Sequence, residues 1–266
     1  MVAKKWLIST SREVLSAKLR DNIWSLKNAS YELKMDYEFL CEVIQENGMN
    51  FEFVCDEFKK DRKLALLAVK QNGLALEFVN VDLKSDHLII ETAIQQNCLA
   101  LQFSGDEYEI NYDVALSLVK QNELVLEFLN KKFKDNFVIV IEAVKQHGIS
   151  LQFASDRLKD DKDIVLTSVR QDGMALEFAS ENLKDNDEIV TAAVMQNGLS
   201  LNFTSNRLKS DVNISLYAVR QNGRSLEFTS DEIQNNPEVT IEAIIQTDWA
   251  KLFIGNKLKF FNVLYS

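Results

Sequence analysis

The chain is 266 residues long, 46% hydrophobic and 26% charged, and its formal net charge at pH 7 is −10. This acidity argues against a protein that binds nucleic acid, because the phosphate backbone would be repelled. The sequence contains no run of about 18 apolar residues and no signal-peptide core after Met1, so we expect a soluble cytoplasmic protein with no membrane partner.

The chain is built from a repeat of 25 residues, whose consensus reads Gln-Asn-Gly-x-Ala-Leu-Glu-Phe-Ala-Ser and which returns without insertion or deletion. We number the positions of each repeat from 1, the residue after the Asn-Gly pair, to 25, the glycine, so that repeat 6 runs from Ile149 to Gly173. Nine complete repeats occupy residues 24–248. Residues 1–23 are predicted to be a capping helix or half repeat, and residues 249–266 a truncated tenth repeat. Because so short a unit buries its apolar side only by stacking on the next, the array predicts a solenoid.

The first half of each repeat leaves two alternatives open. The sequence Leu-Ala-Leu-Glu-Phe at positions 1–5 alternates like a strand, which would give a leucine-rich-repeat horseshoe. We prefer a short helix, because alanine, leucine, glutamate and glutamine dominate there. Serine at position 7, as in Ser155, should then end this helix and cap a further turn. Phenylalanine at position 5 is predicted to be the spine of the core. It recurs as Phe53, Phe78, Phe103, Phe128, Phe153, Phe178, Phe203, Phe228 and Phe253, with Asn28 in its place in repeat 1.

The second half is predicted to be an α-helix. Position 13 always holds Asp or Asn, which can cap a helix, and Pro237 follows Asn236 at the first helical position. In repeat 6 this helix should run from Lys162 to Gln171. Its buried stripe should be Ile164, Val165, Ser168 and Val169. Glycine at position 25 should close the helix in the left-handed conformation. The sequence thus predicts an all-α fold, an α-solenoid of nine 25-residue helix-turn-helix repeats with a partial repeat at each end.

Three segments of the repeat carry a family resemblance: Ala-Leu-Glu-Phe-Ala-Ser, Leu-Lys-x-Asp and Ile-Val-x-x-Ala-Val-x-Gln-Asn-Gly. Together they resemble the repeat known as domain of unknown function 4116. The resemblance covers nearly the whole chain and is strongest at residues 149–198, whereas repeats 1 and 9 depart from it at Asn28, Pro237 and Thr247. It implies a helical repeat found in intracellular bacteria and in protists or algae. It brings no established activity, so no catalytic residue is transferred.

Three polar residue types recur, and for each we prefer a structural explanation to a functional one. Glutamine at position 23 should satisfy backbone groups left open at a helix end, rather than face a ligand. Lysine at position 11 should cover apolar surface with its stem, although such a row could also follow phosphates or an acidic peptide. Glutamate at position 4 should be solvated, because a catalytic pair would need a pocket that shifts one pKa.

The positions that vary most, 14 and 19, are the candidates for binding a partner. In the first half of the array, position 14 offers three aromatic residues with an arginine and a histidine, which are typical interface anchors. Random drift at exposed positions would give a similar pattern, so both interpretations stay open. The candidate residues are Tyr37, Arg62, His87, Tyr112, Phe137 and Lys162 at position 14, and Tyr217 at position 19.

These features predict a non-catalytic repeat scaffold for protein-protein or peptide interaction, of an effector or regulatory type. The alternatives are a structural spacer or regulatory arm of a larger protein and, less favoured, a nucleic-acid-binding repeat protein. We expect no catalytic residue, metal site or cofactor, since the only histidines are His87 and His147, and Cys41, Cys55 and Cys98 occupy unrelated positions. The protein should be cytoplasmic, or delivered into a host cytosol if it is a bacterial effector. The apolar residues 260–265 predict a monomer or a weak dimer through the C-terminal end.

Overall fold

A computed structural model of the chain describes residues 26–105 and 108–255. Over those ranges the regular elements are all helices and no strand occurs, so the all-α fold is confirmed and the horseshoe alternative is wrong. The chain divides into two compact units, residues 1–111 and 112–266, and each is a stack of repeats. None of the described helices combines the length and the apolarity needed to cross a membrane.

Each repeat contributes one long α-helix at positions 14–23, and we number these helices by repeat. Their bounds are α1 Tyr37–Glu46, α2 Arg62–Gln71, α3 His87–Gln96, α4 Tyr112–Gln121, α5 Phe137–Gln146, α6 Lys162–Gln171, α7 Asp187–Gln196, α8 Val212–Gln221 and α9 Pro237–Gln246. The cap at position 13 forms as predicted: the Asp161 carboxylate accepts from the N–H groups of Asp163 and Ile164, each at 3.1 Å. The buried residues of α6 are the four expected, Ile164, Val165, Ser168 and Val169.

The first half of the repeat is helical, but it forms a 3₁₀-helix rather than an α-helix. These 3₁₀-helices are Leu26–Asn28, Gly48–Phe53, Gly73–Phe78, Cys98–Phe103, Glu123–Phe128, Gly148–Phe153, Gly173–Phe178, Gly198–Phe203, Gly223–Phe228 and Asp248–Phe253. One further turn follows each of them in most repeats. It is the α-helix Tyr31–Lys34, Asp56–Lys59, Lys131–Lys134, Asp156–Lys159, Glu181–Lys184, Asn206–Lys209 or Asp231–Gln234, and the 3₁₀-turn Val81–Leu83 in repeat 3. Serine caps this turn as predicted, since the Ser155 hydroxyl accepts from the Leu158 N–H at 3.3 Å.

The prediction that glycine closes a helix in the left-handed conformation is wrong. None of the glycines at position 25 has a φ in that region, and each opens a 3₁₀-helix. The preceding residue is extended and, except for His147, its side chain caps the new helix, as where the Asn72 side chain accepts from the Leu74 N–H at 3.0 Å. Glycine is required by close packing instead, because a Cβ on Gly173 would lie 2.4 Å from the carbonyl oxygen of Ala193 in the next repeat.

The prediction that phenylalanine at position 5 forms the spine of the core is also wrong. These side chains are only half-buried in every described repeat that carries them. Position 3 forms the spine, and Phe51, Leu76 and Leu151 are each 0% exposed there. A 3₁₀-helix turns about 120° per residue, so position 5 cannot share the inward direction of position 3.

Backbone hydrogen bonds join one repeat to the next at position 7. The Ser155 N–H donates to the Lys134 carbonyl at 2.9 Å, and the Ser180 N–H donates to the Lys159 carbonyl at 2.9 Å. The Ser155 hydroxyl also donates to the Asp135 carboxylate. These interfaces are therefore held by polar bonds as well as by apolar packing. The predicted cap of residues 1–23 and the apolar tail of residues 260–265 lie outside the described residues.

Candidate interaction surface

The glutamines at position 23 serve the stacking of repeats. The Gly148 N–H donates to Gln171 Oε1 at 2.5 Å, and Gln171 Nε2 donates to the Gln146 carbonyl at 3.1 Å. The next interface repeats the first bond, with Gly173 N–H and Gln196 Oε1 2.6 Å apart. Both ends of the amide are thus bonded to the preceding repeat, which confirms the structural explanation for these residues.

The lysines at position 11 are half-buried and bond to their own repeat. Lys84 Nζ donates to the Glu77 carbonyl at 2.8 Å, and Lys134 Nζ donates to the Glu127 carbonyl at 2.7 Å. Burial lowers the pKa of Lys84 and of Lys134, and the nearby glutamates only partly offset it. These ammonium groups are directed to the backbone rather than to an outside anion, which supports the structural explanation for them.

The glutamates at position 4 are exposed, as expected for a solvated row. The members are Glu52, Glu77, Glu127, Glu177 and Glu227.

In the compact unit of residues 1–111, each candidate at position 14 contacts a residue of the next repeat. The Tyr37 hydroxyl donates to Asp61 Oδ1 at 3.4 Å, and its ring centroid lies 5.9 Å from that of Phe58. Burial, and then the charge of Asp61, raise the pKa of the Tyr37 phenol. Tyr37 remains 37% exposed, so one edge of the ring still faces solvent.

Arg62 and His87 also contact residues of the next repeat. The Arg62 guanidinium binds the Asp86 carboxylate through two bonds, with Nε 2.7 Å from Oδ2 and Nη2 3.1 Å from Oδ1. These bonds hold the pKa of Asp86 below its ordinary value. The His87 ring centroid lies 5.3 Å from that of Tyr108. These side chains therefore contribute to stacking as well as to the surface.

The compact unit of residues 112–266 presents the candidates differently. Tyr112 and Phe137 begin the neighbouring helices α4 and α5 and are 40% and 41% exposed. Neither side chain makes a hydrogen bond or ring contact with another described residue. Lys162 Nζ pairs with Glu188 Oε2 at 2.6 Å, and Tyr217, on α8, is 42% exposed. The structure thus brings two half-exposed aromatic rings onto adjacent helix starts.

Sequence reasoning missed a groove along α7. It is a shallow depression of about 660 Å³, lined among others by Arg170, Thr191, Ala192 and Met195. The signal lay at positions 18 and 19, where repeat 7 has threonine and alanine while most other repeats have a larger residue at position 18. Met195, at position 22, is 61% exposed.

The histidine, cysteine, aspartate and glutamate side chains of the described residues do not gather at one site. In the described part of the chain, no three His, Cys, Asp or Glu side chains are grouped in a way that could hold a metal ion. His147 Nδ1 lies 3.8 Å from Glu123 Oε1, with the histidine exposed and the glutamate half-buried. Cys41, Cys55 and Cys98, all within the described residues, form no disulfide with one another.

Stacked 25-residue helical units with recurring interface bonds define a tandem helical-repeat protein. The family model of Domain of unknown function (DUF4116) matches residues 11–59, 61–109, 111–159 and 161–209, and the chain belongs to that family. The matches begin 50 residues apart, so each family unit spans two of the repeats described above. The helical pattern continues beyond the last match through α8 and α9. Neither the comparison with curated proteins nor that with solved structures found a match.

Proposed function

We propose that this protein is a non-catalytic, cytoplasmic scaffold that binds another protein or an extended peptide through the variable positions of its long helices. The observation that carries the proposal is the pair Tyr112 and Phe137, which are 40% and 41% exposed at the starts of α4 and α5. Aromatic side chains are common binding anchors because they bury a large area at a small cost in side-chain entropy.

The recurring and the variable positions of the repeat have different contacts, and this difference supports the proposal. Most of the recurring polar residues have a partner inside the chain, as Gln171 does with Gly148 and Lys134 does with Glu127. Among the described residues, the side chains at position 14 of repeats 4 and 5 form none of these bonds, so we expect that they can change without loss of the stack. A rigid helix start also holds each ring in place before binding, which lowers the entropy cost of association.

The histidines fit a non-catalytic role. His87 lies against the Tyr108 ring, and His147 lies 3.8 Å from Glu123 at an exposed position. The contacts shown for the two imidazoles are thus to an aromatic ring and to a carboxylate, rather than to a serine hydroxyl or a cysteine thiol that a general base would activate.

The proposal is tested by affinity capture with the immobilised full chain and with the double variant Tyr112→Ala/Phe137→Ala. The matched control is Tyr31→Ala/Val81→Ala, which removes two side chains that are each 72% exposed at position 8. We expect the wild type and the control to retain the same partner and the double variant to lose it, while all three unfold at the same urea concentration. Equal retention by all three would refute this placement of the binding surface.

A further inference from the structure

Four large apolar side chains are exposed where the described part of the stack ends. Ile241 and Ile245 lie one turn apart on α9 and are 58% and 70% exposed. Trp249 and Leu252 lie in the 3₁₀-helix Asp248–Phe253 and are 48% and 61% exposed. Residues four apart on an α-helix, and three apart on a 3₁₀-helix, share one side of it. Each pair therefore forms an exposed apolar strip, and the two helices are in contact with one another.

Both strips lie at positions that contact the following repeat elsewhere in the stack. One repeat earlier, the equivalent of Ile241 is Leu216, which is only 8% exposed and lies in one core cluster with residues of α9. The equivalent of Trp249 is Arg224, whose guanidinium carbon lies 5.3 Å from the centroid of the Trp249 ring in the next repeat. The two strips thus continue the surface with which each repeat binds its successor. We call them together the α9 face, which consists of Ile241, Ile245, Trp249 and Leu252.

Two residues of the α9 face are apolar where the repeat is otherwise polar. Position 22 is glutamine, lysine or arginine in seven of the eight earlier repeats, but Ile245 in repeat 9. Position 4 is lysine, glutamate, glutamine or asparagine in all nine complete repeats, but Leu252 in the partial tenth. In the earlier repeats both positions stay largely exposed although another repeat is stacked on them. Ordinary stacking therefore does not require apolar residues there, and the change to isoleucine and leucine indicates a second kind of contact.

The α9 face has the area that a weak dimer buries. A large side chain has on the order of 200 Å² of surface, so four such side chains at these exposures leave roughly 450 Å² uncovered. Two copies that meet through this face would bury about 900 Å² of apolar surface, close to the roughly 1,000 Å² at which specific interfaces begin. Association of this size should be reversible, with a dissociation constant on the order of 10 µM.

The charged groups beside the α9 face also suit a second copy. Asp248 and Lys251 form an exposed ion pair at 2.8 Å on the same 3₁₀-helix. A surface that carries one acid and one base is complementary to itself across a two-fold axis, because each group can meet its opposite on the other copy. Glu242, on α9, pairs with Arg220 at 3.3 Å, so its charge is balanced within the chain.

We propose that the α9 face is the interface of a two-fold homodimer, in which Ile245 and Leu252 of each copy are buried against the other copy. The occupant is a second copy of this chain because the face continues the surface that binds a repeat, and because it is complementary to itself in apolarity and in charge. The inference goes beyond the scaffold function and does not depend on Tyr112 or Phe137. A dimer presents that aromatic pair twice, which raises the avidity for a partner with two binding segments.

The test is sedimentation equilibrium of the full chain at concentrations on both sides of that dissociation constant. The double variant Ile245→Lys/Leu252→Glu places in the α9 face two residue types that other repeats already carry at these positions. The matched control is Met195→Lys/Val81→Glu, which introduces the same two charges at side chains that are 61% and 72% exposed elsewhere in the chain. Neither double variant changes the net charge. Urea unfolding of dilute samples shows whether each variant keeps its fold.

We expect the wild type and the control to form a dimer with dissociation constants within about twofold of each other. The double variant of the α9 face should dimerise at least about a hundredfold more weakly, because each copy then buries two charged side chains in place of apolar ones. Ile245→Lys or Leu252→Glu alone should weaken dimerisation about tenfold or more. Sodium sulfate should strengthen the wild-type dimer, since it favours apolar burial.

Three results would overturn the inference. They are a wild type that stays monomeric at the highest concentration, equal dissociation constants for the wild type and the α9-face variant, and a mass that grows beyond the dimer, as head-to-tail contact would give. If the wild type is monomeric and only the α9-face variant unfolds at a lower urea concentration, the face is covered by residues of its own chain. If the dimer forms while partner capture does not depend on Tyr112 and Phe137, only the scaffold proposal falls.

Discussion

The two adjacent glutamines at the end of α3 allow a matched test of what holds the repeats together. Gln96 Oε1 accepts a hydrogen bond at 2.5 Å from the backbone N–H of Gly73, a buried residue of the preceding repeat. Gln95 is the exposed residue before it, at the variable position 22. Replacement of Gln96 by alanine removes a bond between repeats, whereas replacement of Gln95 makes the same chemical change where no such bond exists.

The expected magnitude follows from the loss of that bond and from what it leaves behind. The hydrogen bond itself contributes about 1 kcal/mol, and a buried N–H group left without a partner costs about 1 to 3 kcal/mol. The higher helix propensity of alanine recovers only about a few tenths of a kcal/mol of the free energy of unfolding. We therefore expect Gln96→Ala to lower the free energy of unfolding by about 2 kcal/mol or more, and Gln95→Ala to change it by less than about 0.5 kcal/mol.

Urea unfolding followed by far-UV circular dichroism measures both changes, and amide exchange at Gly73 reports on the broken bond directly. The exchange of Gly73 should speed up in Gln96→Ala and stay unchanged in Gln95→Ala. If the two variants have the same unfolding midpoint, the glutamine row does not stabilise the stack, and the structural explanation of position 23 is refuted.

Three further predictions concern other contacts of the repeat. Gly173→Ala places a Cβ 2.4 Å from the carbonyl oxygen of Ala193 and should lower the free energy of unfolding by about 1 to 3 kcal/mol, as measured with urea. The buried hydroxyl of Ser200 has no hydrogen-bond partner among the described residues, so Ser200→Ala should be neutral or stabilising by about 1 kcal/mol, and a clear loss of stability would contradict this. The hydrogen bond from Arg62 lowers the pKa of Asp86 in the folded protein below its unperturbed value of 3.8. The stabilisation from this pair is therefore present above pH 3.8 and is lost as the pH falls through the pKa of Asp86 in the folded protein. Arg62→Gln should therefore flatten the loss of thermal stability below about pH 5, and an unchanged profile would rule out the pair as its source.

The helices could be predicted because their signals are local. Asp161 and its equivalents lie directly before a segment whose apolar residues have helical spacing. The helix cap and the buried stripe of the helix both follow from residues close together in the chain. The 3₁₀ form of the first half could not be predicted, because alanine, leucine and glutamate favour a helix without specifying its pitch.

The errors arose where contacts between repeats decide the conformation. Asn-Gly is a local signature for a left-handed turn, but Gly73, which follows Asn72, is needed because the Ala93 carbonyl approaches it from the next repeat. Recurrence of phenylalanine at position 5 showed that the repeats which carry it use it in the same way, and gave no measure of its burial.

The candidate surface could be predicted only in part. Variation at position 14 identified residues that are exposed in the structure, Tyr112 and Phe137 among them. The pairing of Arg62 with Asp86 joins residues 24 apart in the chain, so it depends on the stacking geometry rather than on local sequence. The groove along α7 depends on volumes missing from Thr191 and Ala192, which became visible once neighbouring helices were in place.

The central claim is that the recurring residues hold the stack together and that the variable ones bind the partner. The most direct measurement is the dissociation constant of the captured partner for the wild type and for Tyr112→Ala/Phe137→Ala, each checked by urea unfolding. Loss of two aromatic anchors should weaken binding about tenfold or more with the unfolding midpoint unchanged. An unchanged dissociation constant would contradict the claim, as would a loss of binding that is matched by a loss of stability.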